Sequence, residues 1–167
     1  QRLLHGRLNY LSMVWPMSEN FSELATWAAP LLAKLSGTER RQLMRELAKG
    51  LRKRQSDRIK AQKNVDGSAY VPRKPQRIIR SKQGRIKQTL FNKLTKAAHL
   101  KVAVTDSSAA VGFDGRTARI ARVHQLGLRD KVSRYRNEYD YPKRELLGFS
   151  DDDKTWVRDF LIDRLTE

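Results

Sequence analysis

Apolar residues in the N-terminal third of the chain recur at helical intervals and predict two successive helices. In residues 21–35 the spacing predicts a first helix, and Pro30 within it predicts a bend or a division. Ser36 and Glu39 have the spacing of a capping box, so a second, longer helix is expected to begin there. Its apolar stripe extends over about six turns opposite a face rich in Arg and Lys, and the residues at 64, 66 and 67 predict its end. The stripe consists of Leu43, Met44, Leu47, Leu51 and Ile59.

The middle of the chain predicts an arm, a short helix and a hairpin. Residues 68–87 have no period and contain Pro72 and Pro75, which predicts an extended basic arm or loop. Residues 88–98 have the apolar spacing of a short helix. Apolar and polar residues then alternate over 100–105, with Leu100, Val102 and Val104 on the inner face, and again over 109–113. This pattern predicts two antiparallel strands joined by a turn at 106–108.

The C-terminal part predicts two more helices. Residues 117–126 read as a short helix with Ile120 and Val123 facing inward and Gly127 as its stop. Residues 128–141 are charged and lack a period, which predicts a mobile excursion. Ser150 followed by three aspartates predicts the start of a last helix, whose buried stripe is Trp156, Val157, Phe160, Leu161 and Leu165. The expected fold is α+β: N-terminal helices including one long basic helix, a small antiparallel sheet with a hairpin, and a C-terminal helix.

Length and composition favour one domain in residues 17–167, with the arm at about 68–87. Residues 1–16 are interpreted as an upstream extension, with Met17 as a candidate initiator. Their apolar residues are interrupted by Arg7 and Asn9, so they do not resemble a signal peptide. No apolar run approaches the length of about 20 residues that spans a bilayer, and no membrane partner is expected. Cysteine is absent, which excludes disulfides and cysteine-ligated zinc and is compatible with a reducing cytoplasm.

The sequence offers few residues for catalysis. His5, His99 and His124 have no zinc-ligand spacing, and His124 is interpreted as a structural residue at a helix end. Three adjacent aspartates at 151–153 suit a helix N-terminus better than a magnesium site, because they cannot all face one ion. Phosphate-binding loops and nucleophile motifs are also lacking. We therefore predict a protein without enzymatic activity, cofactor or metal.

Positive charge is concentrated in the first half of the chain. The net charge is +17, and residues 1–87 hold 20 Lys and Arg against 6 Asp and Glu, compared with 15 against 12 in residues 88–167. Such asymmetry indicates docking to a nucleic acid, an anionic membrane or an acidic protein surface. For the cations of the helix, the simpler interpretation is a solvated face without a partner. This interpretation is weaker for the arm, which carries seven cations in fifteen residues without an acidic residue. The candidate docking residues are Arg52, Lys53, Arg54 and Arg58 of the helix and Arg73, Lys74, Arg77, Arg80, Lys82, Arg85 and Lys87 of the arm.

Three stretches taken in order resemble the tail-completion proteins of Peduovirus-type contractile-tailed phages, within the phage virion morphogenesis family. They are residues 46–52 continuing through 61–64 and 66–73, residues 119–127, and residues 140–142 with 146–150. The resemblance covers about residues 21–165. The chain departs from the family pattern after Pro142, where Lys143, Arg144 and Glu145 lack an expected second proline, so the path into the last helix is expected to differ locally.

The resemblance implies a structural virion protein that completes the tail at its head-proximal end and enables head–tail joining. It also implies a subunit of a homo-oligomeric ring, assembled in the bacterial host cytoplasm, with tail tube, sheath or terminator and neck proteins as neighbours. Ring contacts join two different surfaces of adjacent copies. The basic first half and the acidic residues of the last helix are candidates for such a pair; these acids are Asp151, Asp152, Asp153, Asp159 and Asp163.

A sequence-independent nucleic-acid-binding protein is the alternative function, with DNA passing through the lumen of the tail as a possible ligand. The arm has no aromatic residues between its cations, which disfavours recognition of single strands by stacking. A nuclease ranks third. Steep loss of DNA binding with salt would favour the nucleic-acid binder over a protein that docks only to proteins.

Overall fold

A computed structural model describes residues 19–73, 89–131 and 137–166, with side chains from residue 23 onward. The predicted extension at 1–16 and most of the predicted arm lie outside these residues. The first helix, α1, comprises Glu19–Lys34 and runs through Pro30 without being divided. The second helix, α2, comprises Gly37–Lys60 and carries the predicted apolar stripe, all of whose members are buried.

The capping box that the sequence predicts for α2 is confirmed. The hydroxyl of Ser36 accepts a hydrogen bond from the backbone N–H of Glu39, whose carboxylate accepts one from the N–H of Ser36 in return. These reciprocal bonds satisfy two backbone donors that a helix N-terminus otherwise leaves without partners. The Glu39 carboxylate is stabilised by its bonds to Ser36, which lower its pKa.

The predicted hairpin is also confirmed. Strand β1, Leu100–Val104, pairs antiparallel with β2, Ala109–Phe113, in a register that places Leu100 opposite Phe113. Both of these side chains are fully buried, whereas Val102 is 37% exposed although its position in the alternation predicts an inner face.

The helix predicted for residues 88–98 is wrong within the described residues 89–98, which form successive turns. Phe91 adopts a positive φ of 64°, which interrupts helical geometry at the second residue of the apolar pattern. The side-chain amide of Gln62 donates to the carbonyl of Leu90 and accepts from its N–H, which holds this strained turn against the end of α2.

The next elements are helix α3, Gly115–Leu126, and a second small sheet formed by β3, Arg129–Lys131, and β4, Glu138–Asp140. Gly127 ends α3 in the left-handed conformation, as predicted. Val123 is buried but Ile120 is 44% exposed, so the inward orientation predicted for Ile120 is wrong. The excursion predicted for residues 128–141 is wrong where the chain is described, because the two strands pair in register.

The last helix, α4, comprises Asp151–Thr166, and Ser150 and Asp153 cap its N-terminus by bonding to each other's backbone N–H. Val157 and Leu161 are buried and pack with the stripe of α2. A second core cluster joins the C-terminal end of α2 to the hairpin, α3 and Leu146, with Ile59 and Leu146 fully buried. The α+β class is thereby confirmed. No helix among the residues described is long and apolar enough to span a membrane.

Candidate assembly surface

Two glutamines hold the irregular segment between β4 and α4 against the helices. The side-chain amide of Gln125, on α3, donates to the carbonyl of Leu147 at 2.9 Å, and its oxygen accepts from the N–H groups of Leu146 and Leu147. Gln55, on α2, makes the same exchange with both backbone groups of Gly148. Both glutamines are almost completely buried, so these bonds supply the partners that buried backbone groups require.

The segment in turn fixes the root of the predicted arm. Arg144 is 4% exposed and donates from Nε to the carbonyl of Val71 at 2.7 Å and from Nη2 to that of Pro72 at 3.3 Å. The hydroxyl of Tyr70 donates to the carbonyl of Glu145 at 3.0 Å. Residues 70–72 are therefore held in place immediately before Arg73, where the run of arm cations begins.

His124 is the third partner of Arg144, whose Nη1 lies 3.2 Å from Nδ1 of the imidazole. Because arginine only donates, Nδ1 must accept, and the ring is neutral with its proton on Nε2. Burial, together with the charges of Arg144 and Arg73, lowers the pKa of His124 to about 4. This agrees with the structural role predicted for His124 and gives no support to a general base.

Aromatic rings pack edge to face around the contact between Arg144 and His124, which we call the Arg144 clamp. Phe91 lies between Tyr70 and His124, and His124 contacts Tyr141 with ring centroids 4.9 Å apart. Such contacts add to the area that the rings bury. Burial also raises the pKa of the Tyr70 phenol to about 12. The first residues of the predicted arm therefore pack on a cluster of aromatic rings, and Arg144 and Tyr70 provide its hydrogen bonds.

Arg54 and Arg58, two of the predicted docking residues, are engaged within the chain. Their guanidinium groups bind the two carboxylate oxygens of Asp153 at 2.5 and 2.9 Å. Arg54 also lies over the ring of Trp156, and Arg58 donates to the carbonyl of Gly148. Asp153 is 3% exposed, so this predicted member of the acidic counter-surface is buried and links α4 to α2 within the chain.

The other predicted docking cations that the structure describes face solvent. Lys53 and Arg73 are exposed and Arg52 is half-buried. The remaining six, Lys74, Arg77, Arg80, Lys82, Arg85 and Lys87, lie outside the described residues. The structure therefore does not bring the arm cations together with the helix cations, and their use in docking stays a prediction.

Four of the predicted acidic residues lie on the exposed surface of α4. Asp151 pairs with Lys154 and Asp159 with Arg158, while Asp152 and Asp163 have no ion pair among the residues that the structure describes. Within the same part of the chain, no three His, Asp or Glu side chains come close enough to hold a metal ion.

Sequence reasoning missed Arg144, Gln55 and Gln125, which organise this region. For Gln55 a signal was present, because it continues the four-residue spacing of Leu47 and Leu51 toward Ile59 on the apolar stripe of α2. A polar residue on a buried stripe indicates a specific hydrogen-bond partner. Arg144 has no such signal, since nothing in the charged residues around it distinguishes a buried arginine.

Comparisons with known proteins identify the family. The family model for phage virion morphogenesis proteins matches residues 19–166. The tail completion protein S of Escherichia phage P2 is 38% identical over 136 residues, which cover 81% of this chain and 90% of that protein. No solved structure matches the chain significantly. The resemblance inferred from three stretches of sequence is confirmed, and the chain belongs to the phage virion morphogenesis family.

Proposed function

We propose that this protein is a structural subunit of a phage tail, acting in tail completion and without enzymatic activity. The observation that carries the proposal is the match of the family to residues 19–166, together with a relative named as a tail completion protein. In this account several copies form a ring at the head-proximal end of the tail and enable head–tail joining. The protein is assembled in the host cytoplasm and becomes part of the virion.

The neighbours proposed for the ring are further copies of this chain and tail tube, sheath or terminator and neck proteins. The arm at about 68–87 has its first residues fixed to the body of its own chain, and its part from residue 73 onward reaches from one copy to the next or to such a neighbour. Support comes from its root, where Arg144 and Tyr70 fix the backbone of residues 70–72. A fixed root lowers the entropy that the arm loses when it docks, because the direction in which it leaves the body is set beforehand.

The acidic surface proposed to receive the arm consists of the exposed aspartates of α4, Asp151, Asp152, Asp159 and Asp163. Asp153 is excluded from it, since its carboxylate is already bound by Arg54 and Arg58. A contact between an arm and a different surface on the next copy is heterologous, and such contacts close into rings when the rotation between copies permits.

Charge reversal in the arm tests the ring. Substitution of Arg77, Arg80 and Lys82 by Glu is expected to abolish assembly, measured as the loss of the high-mass species in light scattering. A matched variant with Lys93, Lys96 and Arg116 changed to Glu removes the same charge from exposed positions on the body and is expected to assemble. Unchanged assembly of the arm variant would rule out the arm as the ring contact.

A further inference from the structure

Helix α2 carries a stripe of cations on its solvent face, formed by Arg41, Arg45, Lys49, Arg52 and Lys53. All are exposed except Arg52, which is half-buried. An α-helix advances 1.5 Å and turns 100° per residue, so the five side chains lie within an arc of about 120° over about 18 Å of helix. The stripe is thus one continuous surface opposite the apolar face that packs in the core.

These five cations have no partners in the described chain. The ion pairs formed within residues 19–73, 89–131 and 137–166 include none of them, and neither do the side-chain hydrogen bonds or cation–π contacts in those ranges. Glu46, the acidic residue nearest in sequence, is engaged by Arg164 of α4 and by Gln42. The stripe therefore keeps its positive charge at the surface.

The exposed aspartates of α4 in a second copy are too few to neutralise the stripe. On α4, Asp153 is buried, and Asp151 and Asp159 already pair with Lys154 and Arg158. Asp152 and Asp163 have no ion pair among the described residues, and even all four exposed aspartates of this helix are fewer than the five cations. Since the chain carries 35 Lys and Arg against 18 Asp and Glu, contact between copies accumulates positive charge. A polyanionic partner supplies counter-charge to the stripe without this accumulation.

The side chains of the stripe differ from the arginines that bind a carboxylate in this protein. Arg54 and Arg58 are positioned by Trp156, Gln55 and the backbone of Gly148 before they meet Asp153. Among the described residues the stripe cations have no such contacts, so they present five separate charges instead of one preorganised carboxylate site.

We propose that the cation stripe of α2 is a sequence-independent contact surface for the phosphate backbone of duplex DNA. Duplex DNA carries one charge per about 1.7 Å of its axis with both strands counted, so a duplex segment as long as the stripe contains about ten phosphates, more than the five cations can contact. No aromatic residue lies in residues 37–60, the span of α2. Recognition of a single strand by stacking therefore has no platform on this helix, which favours the duplex.

Salt-dependent binding to a fluorescein-labelled duplex of about 25 base pairs tests the proposal by fluorescence anisotropy. For the full chain, log K is expected to fall linearly with log salt, equally for two unrelated sequences. Each phosphate contact contributes about −0.9 to this slope, so changing all five cations to Gln is expected to reduce its magnitude by about 4.5. Single variants R45Q and K49Q are each expected to reduce it by about 1, and they keep the test valid if the fivefold variant does not fold.

The matched control changes Lys93, Lys96, Lys101, Arg116 and Arg122 to Gln, five cations elsewhere on the body that also have no ion pair among the described residues. Its slope is expected to stay within about 1 of the parent. An equal loss in the control would assign binding to net charge alone and overturn the proposal. Absence of binding at low salt would also overturn the proposal. Competition by polyglutamate as strong as that by duplex DNA would overturn it as well, because it would indicate an acidic protein partner. Duplex binding is measured whether or not a ring forms, so its failure leaves the proposed tail function intact.

Discussion

The Nη1 atom of Arg144 lies 3.2 Å from Nδ1 of His124, and this hydrogen bond joins a buried cation to a neutral imidazole. Arg144 also donates hydrogen bonds to the carbonyls of Val71 and Pro72, the residues just before the cations of the predicted arm. The pair therefore links the stability of the fold to the position of Val71 and Pro72.

Changing Arg144 to Met is expected to lower the free energy of unfolding by about 2–4 kcal/mol, because the buried guanidinium is the common donor to the carbonyls of Val71 and Pro72 and to His124. Cleavage by trypsin after Arg73 should accelerate as well. Urea denaturation and timed proteolysis measure the two effects. The control R119M removes an exposed ion pair with Asp130 and should cost about 1 kcal/mol or less. Equal losses of unfolding free energy in R144M and R119M would contradict a stabilising role of the Arg144 clamp.

The imidazole of His124 predicts a specific pH dependence. Its pKa in the folded protein, about 4, lies below the ordinary value of 6.5 because of burial and the neighbouring charges of Arg144 and Arg73. At pH values between these two pKa values, His124 is protonated in the unfolded chain and neutral in the folded chain. The contribution of His124 to stability is therefore complete above pH 6.5 and is lost as the pH falls toward 4.

The difference in unfolding free energy between wild type and H124N, measured from pH 4 to 8, isolates this effect. Asn retains an acceptor for Arg144 but does not titrate. The difference should change in favour of H124N as the pH falls, by at most about 1.4 kcal/mol per pH unit, which is the limit for one proton. The change should stay below this limit because His124 is only partly buried. H99N serves as the control histidine. A pH-independent difference for H124N would be incompatible with a neutral, buried His124.

Removing the charge of Asp153 should destabilise the contact between α2 and α4. D153N keeps a capping side chain but leaves Arg54 and Arg58 without their carboxylate, and breaking a buried pair of this kind costs about 3 kcal/mol. The adjacent D152N changes an exposed residue and should alter the unfolding free energy by less than about 0.5 kcal/mol. Thermal or chemical denaturation of both variants makes the comparison. Similar stabilities would show that Asp153 is not a structural residue.

Gly50 provides room for Trp156 where α4 crosses α2. A Cβ at this position would lie 2.2 Å from Cη2 of the indole, so G50A must displace the ring. Ala is favoured over Gly in a helix by about 1 kcal/mol, but overpacking costs about 1–3 kcal/mol, and we expect net destabilisation. W156L should rescue G50A in a double-mutant cycle. G37A meets nothing within 4 Å and is the control; stabilisation by G50A itself would refute the close packing.

Local sequence patterns predicted much of this fold. The parts that they did not predict depend on hydrogen bonds between residues far apart in the sequence. The caps at Ser36 and Ser150, the hairpin and the stripes of α2 and α4 depend on residues close in sequence, and all were predicted. The turns at 89–98 instead depend on Gln62, which bonds to Leu90 from 28 residues away. Such a contact overrides helical spacing and leaves no trace in the local pattern.

The candidate surface was predicted less well for the same reason. Composition indicated cations in α2 and acids in α4, but it could not separate Asp153, which is buried, from Asp152, which is exposed. Nor could it show that Arg54 and Arg58 form ion pairs while Lys49 and Lys53 form none among the described residues. Helix orientation decides which side chains of one charged run remain at the surface.

Electron microscopy of phage tails assembled with and without this protein tests tail completion most directly. Tails made without it are expected to lack a ring at the head-proximal end and to remain separate from filled heads. Addition of the purified protein should restore both the ring and joining. Tails that lack the protein yet carry a complete end and join heads at the normal frequency would contradict the proposed function.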